Sequence, residues 1–124
     1  MKTPKGDEVT PKKYRKRIRE RYILPIQVDA FEQNTNAYLG NLYDINDMGI
    51  RLTSETPIPV NRFIKIRLQL PEKISDREFI SFDTFSIWNR QDPSSMLCST
   101  GFLMLNISQE NNQTLHHLIH RYTT

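Results

Sequence analysis

Phe63-Ile64-Lys65-Ile66-Arg67-Leu68-Gln69-Leu70 alternates without a break, so Ile64, Ile66, Leu68 and Leu70 fall on one side of an extended chain and Lys65, Arg67 and Gln69 on the other. The period of two predicts a strand with one buried and one wet face. Shorter pieces on either side repeat the theme. The segment from Tyr22 is rich in apolar and β-branched residues, and Pro25 confines it to a strand edge, start or bulge before a first strand that ends near Phe31. Ala37 to Tyr43, interrupted at Gly40, and Ile50 to Thr53 read as the next two strands. Phe79 to Trp88 follows, with a change of phase between Phe82 and Phe85 that predicts a bulge or two partly covered faces, and Thr100 to Ile107, opened by Gly101, is the last. Glu32 to Asn36 and Asp44 to Gly49 are turn clusters, and Thr56-Pro57-Ile58-Pro59 cannot lie in a central strand. Leu115, Leu118, Ile119 and Tyr122 recur at i, i+3, i+4 and i+7, so Gln109 to Tyr122 is the one helical candidate. Six strands, a terminal helix and no internal repeat argue for a mainly β, closed or nearly closed antiparallel barrel over 22–107, with the helix at 109–122 packed on it.

A chain of 124 residues, 37% hydrophobic, is long enough for one core and too short for two. No apolar run approaches the roughly 20 residues of a membrane helix, and Met1 to Arg21 contains no apolar stretch of the secretory kind, so the cytoplasm is the expected address. Cys98 is the single cysteine, which excludes an internal disulfide and is expected to be a partly buried, inert thiol. Charge is unevenly placed. Met1 to Arg21 holds nine basic residues against three acidic ones, a net +6, whereas the rest holds eight against eleven, a net −3. Residues 1–12 are expected to be a flexible leader, and 13–21 a flexible basic arm. Such a block is an electrostatic footprint for phosphate, or else a solvated tail that aids solubility.

Two features carry the chemistry: the arm Arg15-Lys16-Arg17-Ile18-Arg19-Glu20-Arg21 and the turn Asp44-Ile45-Asn46-Asp47-Met48-Gly49. Together they resemble the PilZ family of cyclic di-GMP receptors, marked by RxxxR just before the first strand and by [D/N]xSxxG between the second and third. Arg17 to Arg21 fits the first motif. Arg15 and Arg19 satisfy the same spacing, though Arg21 followed by Tyr22 better matches the family's apolar residue after the second arginine. Asp44 to Gly49 fits the second motif except at Asn46, where the family usually has Ser. Leu24-Pro25-Ile26, Gly49-Ile50-Arg51-Leu52, Leu70-Pro71, Ile87-Trp88 and Gly101-Phe102 extend the likeness from about Arg15 to Tyr122.

The resemblance implies a six-stranded antiparallel (split) barrel of PilZ type, with cyclic di-GMP as ligand and no further cofactor or metal. Arginine suits that ligand because a guanidinium forks onto guanine O6 and N7, pairs with phosphate or stacks on a purine face. Arg17 and Arg21 would clamp it, with Arg15, Lys16 and Arg19 alongside. Asp44 would accept from guanine N1 and N2, Asn46 would donate or accept, and Gly49 would let the backbone turn tightly and approach the base. Lys16, a long polar residue just before RxxxR, goes in the family with a stacked ligand dimer, so two ligands per chain are expected. An arm that orders on the ligand would present a new surface to a protein effector controlling motility, biofilm or pili. The chain itself is expected to be monomeric.

Each residue also has a plainer reading. Asp44, Asn46 and Gly49 suit an ordinary turn, Arg51 lines a pocket rim or, like Arg67 and Arg90, takes a solvated position, and Trp88 suits core or barrel rim ahead of a base-stacking platform. His116 and His120 lie one helical turn apart but have no third metal ligand nearby in sequence. No Ser, His and Asp arrangement, carboxylate pair or Gly-rich phosphate loop has context, so a binding protein is expected rather than an enzyme. Two rivals stand beside the nucleotide receptor: a PilZ-like interaction module of the type IV pilus kind that binds no nucleotide, and a small barrel for single-stranded nucleic acid, which would want exposed aromatics interleaved with Lys and Arg.

Overall fold

Six strands and a helix organise residues 21–123, the part of the chain that the computed structural model describes. The leader and most of the basic arm lie outside these residues, so Arg15, Lys16, Arg17 and Arg19 are known here from sequence alone. The elements are β1 (Asp29–Glu32), β2 (Tyr38–Ile45), β3 (Gly49–Ser54), β4 (Phe63–Ile74), β5 (Arg77–Gln91), β6 (Cys98–Leu105) and α1 (Gln109–Thr123). The strands close into an antiparallel barrel in the order β1-β2-β3-β6-β5-β4, as the strand count and terminal helix had suggested.

The alternating stretch that opened the reading is the heart of β4. Ile66, Leu68 and Leu70 are buried, while Arg67 and Gln69 look outward. With Val28, Ala30, Ile45, Ile50, Leu52, Ile80 and Phe102 they fill the barrel, and each fully buried aliphatic side chain contributes roughly 1.5–3 kcal/mol. Cys98 is buried too.

Several element bounds and one expected change of phase differ from the sequence expectation. The first strand is shorter: from Tyr22 to Val28 the chain follows the barrel but bonds only at its ends. Tyr22 exchanges both backbone bonds with Ile45 (2.9 and 3.1 Å) and Val28 O accepts from Leu42 N (2.9 Å), while Pro25 has no N–H to give. β4 runs on beyond Leu70 to Ile74, because the register breaks between Gln69 and Ile74 and Pro71 sits in that break, where no ladder donor is required.

The phase change foreseen between Phe82 and Phe85 does not occur. Ile80, Phe82, Thr84 and Ser86 all point inward, the two hydroxyls satisfied by Ile64 O (2.7 Å) and Pro59 O (2.8 Å), and Phe85 packs outside against Phe63 with ring centroids 4.8 Å apart. The irregularity comes instead between Ser86 and Trp88, and leaves Ile87 and Trp88 both exposed. Lastly, β6 spans Cys98–Leu105 rather than Thr100 to Ile107.

Helix α1 starts where Ser108 Oγ accepts from Asn111 N (3.0 Å), an N-cap bond, and buries Leu115, Leu118 and Ile119 against the core. Its polar side is fastened to the β4–β5 hairpin. Arg77 meets Asn111 (2.6 Å) and Glu110 (3.5 Å), His117 Nδ1 meets Ser75 Oγ (3.0 Å), and Glu72 meets Arg121 (3.2 Å) and the Tyr122 hydroxyl.

Candidate functional site

The β2–β3 hairpin builds the centre of the site. Counting outward from its turn, Ile45 pairs with Ile50 and Asp44 with Arg51, but the next pair is Leu42 with Leu52, so Tyr43 is an extra residue in β2. Such a bulge sets two residues against one on the partner strand. Arg51 consequently meets both. Its guanidinium carbon lies 4.1 Å from the centre of the Tyr43 ring, and its Nη2 donates to Asp44 Oδ2 at 2.7 Å.

Arg21 approaches Asp44 from the other side, Nε donating to Oδ1 at 2.6 Å and Nη2 reaching Gly49 O at 3.5 Å. The Asp44 side chain is 4% exposed, against 42% for Arg21 and 22% for Arg51. One buried carboxylate thus holds two guanidiniums that still reach the surface. Each carboxylate oxygen has a second lone pair, so Asp44 keeps acceptor capacity beyond these two bonds.

Asn46 shapes the turn. Its Oδ1 accepts from the backbone of Met48 (2.9 Å) and Gly49 (3.0 Å), and its own N–H donates to Gly49 O (3.0 Å). Gly49 does not have a positive φ. It opens β3, and a Cβ there would sit 2.2 Å from Phe102 O, so the glycine permits β3 and β6 to approach closely. Next to it Asp47, buried, lies 2.7 Å by Oδ1 from His116 Nε2, which ties the turn to α1.

Across the barrel wall the row continues Asp44, Arg51, Gly101, Trp88. The Trp88 indole lies over Gly101 so closely that a Cβ on that residue would fall 2.3 Å from Nε1. Arg21, Arg51, Trp88 and Gly101, with Ile50, Ile87 and Phe102, line a surface pocket of about 280 Å³. Two cations and an aromatic plane at one opening suit a ligand with both phosphate and purine character.

No protein-family model and no curated protein matches the sequence. Solved structures do match the fold. The PilZ domain of Escherichia coli YcgR with cyclic di-GMP aligns with a TM-score of 0.60 at 18% identity, over 83% of this chain and 88% of that domain. This chain has a PilZ-type fold. YcgR in complex with cyclic di-GMP gives 0.63 at 17% identity, covering 82% of this chain and 43% of that one. The Bacillus subtilis inhibitor of motility MotI/DgrA gives 0.64 at 17%, covering 82% and 47%. The PilZ-like chain therefore spans less than half the length of these two relatives.

Of the residues singled out from sequence, Arg21, Asp44, Asn46 and Gly49 are brought together here; Arg15, Lys16, Arg17 and Arg19 lie outside the described residues. Trp88 is on the barrel's outside, at the pocket, and not in its core. Arg51, expected at a pocket rim or a solvated strand position, is a central member. The turn register alone pairs position 51 with 44, so that placement was available by counting. Tyr43 and the Asp47–His116 contact had no sequence signal: one needs the bulge, the other the packing of α1. His116 and His117 part company, the first going to Asp47 and the second to Ser75.

Proposed function

We propose that this PilZ-like domain is a cyclic di-GMP receptor that relays ligand occupancy to a protein partner, as a binding protein and not an enzyme. The observation that carries the reading is the pair of guanidiniums, Arg21 and Arg51, fixed by one buried Asp44 at the mouth of a pocket faced by Trp88. The structures that share the fold lend support: two of them contain cyclic di-GMP and one is an inhibitor of motility. In this reading one guanine stacks on a guanidinium and hydrogen-bonds at Asp44, while Arg17, four residues before Arg21, takes a phosphate as the arm closes over the dinucleotide. Arm and barrel together then form the surface that a motility-type effector recognises.

Titration calorimetry with cyclic di-GMP tests this on the wild-type chain and on an Arg17→Ala, Arg21→Ala double variant. Saturable binding that the double variant loses supports the receptor. No heat with the wild type, alongside salt-sensitive binding of a single-stranded oligonucleotide, would replace it with the nucleic-acid reading. A specific feature keeps that comparison in the experiment: on the outer wall of β1, β4 and β5 the Arg67 guanidinium lies 5.0 Å from the Phe31 ring and 6.0 Å from Phe79.

A further inference from the structure

Strand β2 carries Asp44, the holder of Arg21, near one end and Tyr38 at the other. Beside Tyr38, between β2 and β3, lies a depression of about 440 Å³ that shares no residue with the Arg21 pocket. Its apolar side is the Tyr38 ring, 57% exposed, with Leu39 and Leu97. Thr53, Ser54 and Glu55 complete it from the end of β3. Thr53 Oγ1 is buried there without a hydrogen-bond partner, a hydroxyl that the protein itself leaves unused.

The depression is acidic. Glu55 lines it and is exposed, and Asp29 is joined to Tyr38 through Asn41, whose amide nitrogen lies 3.2 Å from Asp29 Oδ1 and 3.1 Å from the Tyr38 hydroxyl. The phenol is raised above its ordinary pKa by partial burial first, then by Asp29 and Glu55, as a negative field requires. Neither acid has a cationic partner among the described residues. A neighbouring depression of about 360 Å³ shares Tyr38, Leu39 and Thr56, but there Arg62 accompanies Glu32, so the Glu55 side is the one that favours a cation.

An exposed aromatic ring beside an unmatched carboxylate suits a segment that offers proline and then lysine. The proline ring packs on the aromatic plane, its fixed φ lowers the cost of ordering, and the ammonium pairs with the acid. Thr10-Pro11-Lys12-Lys13 is such a segment, and it lies outside the described residues. Its reach suffices. Six residues of β2 separate Tyr38 from Asp44, about 20 Å at the rise of a strand, whereas the ten residues from Pro11 to Arg21 span about 31 Å in polyproline form.

We infer that this depression is a docking groove for the chain's own leader, with Pro11 on the Tyr38 ring and Lys12 and Lys13 at Glu55. The inference stands apart from the receptor reading and needs no nucleotide. Seated there, the leader would fasten the basic arm to the barrel at two points, Tyr38 and Asp44.

The test is paramagnetic NMR on the full isotope-labelled chain, with a nitroxide on Thr10→Cys in a Cys98→Ala background and a diamagnetic tag as reference. Should Cys98→Ala fail to fold, Cys98 is kept, its thiol being buried away from the reagent. The nitroxide should broaden the amides of Leu39, Gly40, Ser54, Glu55 and Leu97 and leave Ser75 and Asp76, at the far β4–β5 turn, sharp. Glu55→Lys should lower the docked-to-free ratio roughly five-fold or more, because an exposed attraction becomes a repulsion. Adding Lys12→Glu and Lys13→Glu to that variant should restore it. Broadening that misses the groove, or that Glu55→Lys leaves unmoved, overturns the inference. So does an equal loss on Lys5→Glu, which would make the attraction one of overall charge. A mixture of nitroxide-bearing unlabelled chain with isotope-labelled, nitroxide-free chain should show no groove broadening. Broadening there would give the groove to a second molecule's leader and end the intramolecular proposal.

Discussion

Asn46→Ala removes a single acceptor on which two backbone donors depend. Gly49 N is buried, and leaving it without a partner costs about 1–3 kcal/mol; Met48 N is partly open to water, so its share is about 0.5–1.5 kcal/mol. The sum is about 2–4 kcal/mol, which for a domain of this size lowers Tm by roughly 10–25 °C. With a urea m-value of about 2 kcal/mol/M it moves the midpoint by roughly 1–2 M. Asn46→Ser keeps a short-range acceptor and should lose less than half as much. The assay is urea unfolding followed by Trp88 fluorescence and circular dichroism, with m compared between variants to exclude a change in the unfolded state. An alanine variant within about 0.5 kcal/mol of wild type would refute the claim that this side chain holds the hairpin turn.

Asp44→Ala strands two guanidiniums around a vacated buried position. Because Arg21 and Arg51 both reach solvent, the cost is discounted from that of a fully buried pair to about 2–3 kcal/mol, readable by the same urea titration; under about 1 kcal/mol would show that the carboxylate is not their anchor. Gly101→Ala drives a methyl into the indole, so Trp88 should swing out, with red-shifted emission, easier acrylamide quenching and a loss of about 1–3 kcal/mol; the chain has one tryptophan, so unchanged emission would be decisive against it. At the β4–β5 turn, Ser75 and Asp76 hold φ of 53° and 63°, and Asp76→Gly should raise stability by about 0.5–1 kcal/mol, seen as a higher melting temperature. Glu72 is held below its ordinary pKa by the Tyr122 hydroxyl and then by Arg121, and Tyr122 is raised chiefly by Glu72. A carboxylate lowered on folding contributes above its unfolded value near 4.5 and loses that contribution as pH falls through the folded one, so Glu72→Gln should flatten stability in that acid range and return the Tyr122 titration, followed by NMR, toward 10.

The barrel was legible because burial has a period. Ile66, Leu68 and Leu70 needed no partner strand to reveal which way they point, and Leu115, Leu118 and Ile119 revealed the helix face in the same manner. The reading lost its footing where polar residues occupy inward positions: Thr84 and Ser86 look like surface until their hydroxyls are seen to reach Ile64 O and Pro59 O, and the false change of phase followed from that. In the site, the turn motif located Asp44, Asn46 and Gly49. Sequence says nothing of a bulge that lets Arg51 face Tyr43 and Asp44 at once, because a one-residue mismatch between strands is a property of the pair. The part Gly49 plays in the close approach of β3 and β6 has no local signal, since its partner there, Phe102, is more than fifty residues away in the chain.

Closure of the barrel also decides how another protein can dock. Among the described residues the six strands close on one another, so the barrel wall itself offers an incoming peptide no free edge strand to extend. An effector of the kind proposed would read side chains on the cylinder's exterior or on α1, whose His116 touches the same turn that gathers the arginines. A message about occupancy would then leave through the wall and the helix by rearranged side-chain contacts.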